Sequence, residues 1–231
     1  LPDWVSFWWG LALLTTDVGC EFQIVSSENI FSIPLYRLLP IEQAKATLDE
    51  IFRDLDIAFL NIYDSNPFEP HKLGYYEELF SHFGDRNRRI VKSAYLDPSL
   101  LADDEYFPRL WKFLIKYNFR EFFIGRDVIT EEGARVIGSN LENHPKSQNQ
   151  LDKEKRGIER FILALNDRNL KRNILGLSSD RSRIALSYIV VPHEPITTHL
   201  NMFDEMEQFL SSSSEYVKIG INYLGLIPMP G

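Results

Sequence analysis

Apolar residues recur along this chain at two spacings. From Ile41, the positions Ala44, Leu48, Ile51, Phe52 and Leu55 follow at three- and four-residue steps, with Glu42, Asp49, Glu50 and Asp54 mostly off that line. This is the stripe of an amphipathic helix, and Pro40 suits a start where a missing N–H costs nothing. Further helices are predicted over Tyr75 to Phe83, after Pro108 (buried face Leu110, Trp111, Leu114, Tyr117), after Thr130-Glu131-Glu132, over residues 151–173 and over residues 201–210. Asp97-Pro98 has the cap-plus-proline form of another helix start.

The remaining apolar runs are short and rich in β-branched and aromatic residues. Residues 57–63 fit a strand or a continuation of the preceding helix, and 89–96, 119–124 and 183–191 fit strands. In the last run, residues 216–223, Val217, Ile219 and Ile221 alternate with Lys218 and Asn222, the two-residue period of a strand with one wet face. Near the N-terminus, residues 21–25 and 30–33 flank Ser26-Ser27-Glu28-Asn29 and predict a β-hairpin, with Pro34 confining its second strand to a sheet edge. Residues 4–14 predict a buried first helix capped by Asp3.

The hairpin and the alternating last strand point to antiparallel pairing, whereas the middle alternates strands with helices. The expected fold is therefore α+β, a mixed sheet with an N-terminal β-hairpin and flanking helices; doubly wound α/β is the alternative. One compact domain over residues 1–231 is expected, with the polar, turn-rich segment 142–150 as a candidate internal boundary and Ser211 to Ser214 as a flexible loop.

Composition narrows the function classes. The chain has 231 residues, 44% hydrophobic and 25% charged, which is enough apolar surface for a packed core. Its formal net charge of −8 argues against nucleic acid or an anionic membrane as main partner. A single cysteine, Cys20, excludes an internal disulfide. The apolar N-terminal run is too short to span a bilayer and lacks signal-peptide flanks, so a cytoplasmic protein is expected.

Three constellations could carry chemistry. Asp64, Asp97 and Asp127 each follow a predicted strand; on parallel neighbouring strands they would share one sheet edge and could hold Mg²⁺ or Mn²⁺. His193, within Pro192-His193-Glu194-Pro195, could act as an acid or base near neutral pH. Basic residues cluster at Arg86, Arg88, Arg89 and Lys92, and residues 151–173 carry seven basic against four acidic side chains, Arg156 and Arg160 among them. Each group has a simpler reading, as helix caps, a solvated loop and a solvated helix.

No glycine-rich phosphate loop and no Gly-x-Ser-x-Gly elbow is present. These observations favour a non-enzymatic protein-binding or regulatory module without a cofactor. It would engage another protein through Trp4, Trp8, Trp9 and the basic helix face, since aromatic and Arg side chains dominate interface centres. The alternatives are a metal-dependent phosphate-ester hydrolase using the three aspartates, and a sensor with an aromatic small-molecule pocket.

Overall fold

The structure, a computed structural model, describes residues 11–14, 17–18, 37–54, 59–62, 64, 67–137, 146–175, 181–191, 194–213 and 216–223. Of the apolar N-terminal run, Leu11–Leu14 form strand β1 rather than the end of the expected helix, and residues 4–10 lie outside the described residues. Two-residue strands β2 (Asp17–Val18) and β3 (Arg37–Leu38) pair antiparallel apart from the main sheet. Then follow α1 (Ile41–Asp54), β4 (Phe59–Ile62), α2 (Leu73–His82), α3 (Gly84–Arg89), β5 (Val91–Leu96), α4 (Pro98–Leu101) and α5 (Phe107–Lys116). The chain continues through β6 (Phe119–Asp127), α6 (Glu131–Ile137), α7 (Gln148–Ile174), β7 (Arg183–Val190), α8 (Ile196–Ser213) and β8 (Val217–Tyr223).

The described residues form a six-stranded sheet in the order β1-β4-β5-β6-β7-β8, and every pairing in it is parallel. This corrects the mixed α+β expectation: the fold is α/β. The strands of the expected hairpin lie outside the described residues. The last strand, read from its alternation as antiparallel, is the parallel edge strand β8. Each sheet strand neighbours the next one in the chain, so the order steps one way without the reversal of a doubly wound sheet.

That order explains the layering. Crossovers of the usual right hand that all step in one direction set their helices on the same face of the sheet. Leu60, Ile62, Ala94, Leu96, Phe122, Ile124, Ile184, Leu186 and Tyr188 are buried on that face. Phe122 meets Phe161 of α7 edge-on at 5.0 Å, and an aromatic cluster of Phe68, Tyr76, Phe80, Phe113 and Phe119 fills the space under α2 and α5.

Local chemistry sets the helix ends. The Ser99 backbone N–H donates to Asp97 at 2.8 Å and Pro98 opens α4, as the sequence predicts. Ser147 and Gln150 form a reciprocal capping box on α7. Gly157 lets α7 approach α4 closely, because a Cβ there would lie 2.6 Å from the Pro98 carbonyl oxygen. Ser211 to Ser213, expected in a loop, prolong α8; the Ser211 and Ser212 hydroxyls donate back to the Gln208 and Phe209 carbonyls. No helix among the described residues is long and apolar enough to cross a membrane.

Candidate functional site on the uncovered sheet face

Among the described residues, the opposite face of the sheet is not packed under helices in the same way. Its residues alternate with the buried ones, and the register gathers them into rows running across the strands. The first row is Asn61, Ser93, Glu121 and Arg183; the second is Tyr95, Phe123, Ala185 and Lys218; the third, toward the C-terminal strand ends, is Gly125, Ser187 and Gly220.

In the first row the Ser93 hydroxyl donates to the Asn61 side-chain oxygen at 2.6 Å. Burial pushes the Glu121 carboxyl above its usual range, against the pull of Arg183 and Lys218. In the second row the rings of Tyr95 and Phe123 lie 5.4 Å apart, 40% and 37% exposed. Two large rings turned toward water on a sheet face make an aromatic shelf rather than a core contact. The third row is a floor of small residues; a Cβ at Gly220 would meet nothing nearer than the Leu186 carbonyl oxygen at 3.9 Å. Glycine within a strand marks a place where a ligand can come close to the backbone.

The rim above this floor is strained and acidic. The register of β6 against β7 shifts between Gly125 and Asp127, and Asp127 has a φ of 50°. Bulges re-aim side chains, and non-glycine residues with positive φ concentrate at functional sites. The Asp127 carboxylate folds back over Gly125, 3.1 Å from where a Cβ would sit. Burial raises its pKa, Lys146 and Arg126 oppose that, and Asp97 adds to it. While its backbone pairs with Tyr188, the Asp127 side chain has no hydrogen bond or ion pair among the described residues.

Behind the rim, on the helix side, lies a buried charge network. Arg126 is 1% exposed; its Nε donates to Glu205 at 2.9 Å and its Nη1 lies 3.5 Å from Glu154. Tyr188 donates to Glu205 at 3.1 Å, and Lys146 pairs with Glu154 at 2.8 Å. A polar cleft of about 390 Å³ between α7 and α8 opens onto this network, lined by Lys155, Asp152 and Asp204 among others.

Of the three candidate metal ligands, Asp64 and Asp97 follow β4 and β5 and Asp127 ends β6, all at the C-terminal side of the sheet, but they serve different ends. Asp64 is fully buried and accepts the Tyr76 hydroxyl; Asp97 caps α4; Asp127 faces the open side. Among the described residues no group of three or more His, Cys, Asp or Glu side chains could hold a metal ion. His193, Trp4, Trp8, Trp9 and the side chains of Arg86 and Arg88 lie outside the described residues. Its neighbour Glu194 is buried and accepts the Thr130 hydroxyl. Arg89 and Arg156 are exposed.

The sequence reading missed Tyr95, Phe123, Gly125, Ser187 and Gly220. The signal was present: Ser93-x-Tyr95, Glu121-x-Phe123-x-Gly125-x-Asp127 and Ser187 place polar, small or exposed aromatic residues at every second position of adjacent strands.

No protein-family model and no curated protein matches this sequence. Solved structures do. The radical S-adenosylmethionine methyltransferase TsrM from Kitasatospora setae, with cobalamin and a [4Fe–4S] cluster bound, is similar over 96% of this chain and 38% of its own, at 14% identity and a TM-score of 0.67. The same enzyme with tryptophan substrate and an S-adenosylmethionine analogue bound gives 94%, 37%, 14% and 0.67. The cobalamin-dependent S-adenosylmethionine radical enzyme OxsB, with aqua-cobalamin bound, is similar over 96% of this chain and 29% of its own, at 13% identity and a TM-score of 0.59. This chain thus spans well under half the length of each.

At such identities the likeness shows the fold. It overturns the expectation of a protein-binding module built on a basic helix, and that of a phosphate-ester hydrolase. The helix face itself agrees: Arg160 pairs with Asp104 at 2.9 Å and covers the Phe107 ring, Lys171 pairs with Asp167 at 2.6 Å, and Arg168 donates to the Phe119 carbonyl at 2.9 Å.

Proposed function

We propose that the uncovered sheet face is a cofactor-binding surface and that its ligand is S-adenosylmethionine. The observation that carries this reading is the alignment of an aromatic shelf, a glycine floor and an unpaired carboxylate across adjacent parallel strands. Tyr95 and Phe123 offer a stacking surface for an adenine ring. Gly125, Ser187 and Gly220 allow a ligand to lie close against the strands. The Asp127 carboxylate, with Asp97 nearby, complements the sulfonium and ammonium charges of the ligand. The C-terminal ends of parallel strands are where ligands of such sheets bind. TsrM has been seen with an analogue of this cofactor. Cobalamin is the second reading, favoured by its presence in both TsrM and OxsB. With one cysteine and no internal disulfide, the chain suits a reducing compartment such as the cytoplasm.

The test is calorimetric titration of the whole chain with S-adenosylmethionine, alongside aqua-cobalamin followed by its visible absorbance. S-adenosylmethionine should bind with 1:1 stoichiometry. Phe123→Ala should weaken it about tenfold, the loss of one stacking contact worth about 1–3 kcal/mol, and Asp127→Asn should weaken it by a similar factor. Wild-type protein that takes up neither ligand at millimolar concentration would end the proposal. Uptake of aqua-cobalamin alone would transfer it to the corrin cofactor.

A further inference from the structure

The similar methyltransferase TsrM holds a [4Fe–4S] cluster. Clusters of this type are held by Cys thiolates, four of them in the common arrangement. The 231 residues of this chain contain a single cysteine, Cys20. One thiolate can ligate one iron and leaves the other irons without a protein thiolate.

Histidine is the documented substitute for cysteine at some clusters, so the histidines decide whether the donor set could be completed. There are five, His71, His82, His144, His193 and His199. His71 lies beside Glu69 at 3.5 Å, ahead of α2. His82, in the last turn of α2, approaches Asp49 of α1 at 3.5 Å. His199, on α8, is 3.4 Å from the Val191 carbonyl oxygen. These three sit on separate elements with separate neighbours, and among the described residues no cluster of three potential ligands exists. His144 and His193 with Cys20, all outside the described residues, add two imidazoles to one thiolate, a mixed set short of the thiolates such a cluster takes. The donor set does not fit a [4Fe–4S] cluster.

We infer that these 231 residues are an iron-free form of the fold: they do not themselves assemble the cluster that TsrM carries. The count of thiolates and imidazoles carries this, whether or not S-adenosylmethionine is the ligand.

The experiment is anaerobic reconstitution of the full chain with ferrous iron, sulfide and a thiol, followed by desalting. Iron and acid-labile sulfide per chain are then measured, with the visible absorption and the electron paramagnetic resonance spectrum after dithionite reduction. The expected result is iron and sulfide far below one equivalent, no cluster spectrum, and the same values for Cys20→Ala. About four irons and four sulfides per chain, the content of one such cluster, would overturn the inference. So would half that content in a species of doubled mass, which would mean a cluster shared by two copies. Titration of the same iron-free sample with S-adenosylmethionine keeps the two ideas apart: failure to bind removes the ligand and leaves the inference standing, whereas a cluster removes the inference and leaves the ligand standing.

Discussion

The two faces of the one sheet are built from alternate residues of the same strands, yet they are different materials. The helix-covered face is dry and interlocked. Phe122 abuts Phe161, and Arg126 is held between Glu205 and Glu154 with almost no solvent contact. The uncovered face carries exposed rings, glycines and a carboxylate that burial penalises. The first face stores stability; the second has little to lose when its side chains change. Stability and binding in this chain should therefore respond to neighbouring residues almost independently.

The sharpest way to break this contrast is Arg126→Ala. It strands two carboxylates in a buried setting, and removing one member of such a pair costs about 3–5 kcal/mol; urea unfolding should show that loss. Gly157→Ala comes next. Its Cβ would strike the Pro98 carbonyl oxygen at 2.6 Å, and the forced shift of α7 from α4 should cost about 1–3 kcal/mol, read as a lower thermal midpoint.

Lys92 gives a pH signature of the covered face. Burial pushes its ammonium down to about 7 from 10.5, while the side chain donates to the Ile90 and Tyr117 carbonyls. Between those two pH values the unfolded chain binds the proton and the folded chain does not, so this contribution to stability rises with pH. Below about 7 both states are protonated and the contribution is flat. Lys92→Met should abolish the rise in denaturant midpoint across that window. The smallest effect belongs to the open face: Phe123→Ala should change unfolding free energy by no more than about 1 kcal/mol. A larger loss would mean that the shelf is core after all.

Much of the helical part was legible in the sequence, because a helix packed on one side shows its stripe directly. Ala44, Leu48 and Phe52 are buried as their spacing predicts. The cap at Asp97 was readable because its mechanism is local. Sheet direction was misread for a physical reason. Parallel strands usually have both faces covered and look uniformly apolar. Here no helix among the described residues covers one face, and β8 alternates Val217, Ile219 and Ile221 with Lys218 and Gly220, the pattern of an antiparallel strand. The candidate site was lost with it. Asp127 was legible as a strand-end acid, but nothing singled out Tyr95 and Phe123, since an aromatic ring in a strand does not by itself show which side its neighbours leave open.

The one-way strand order has a consequence for how the molecule comes into being. Every parallel pair joins strands that are consecutive in the sheet, yet most closures span two helices: α2 and α3 between β4 and β5, α4 and α5 between β5 and β6, α6 and α7 between β6 and β7. Such crossovers meet their loop-closure entropy before the strand contacts form, which slows assembly. A nascent chain can add β5, then β6, then β7 to an edge already in place, so that synthesis and sheet growth proceed in the same direction.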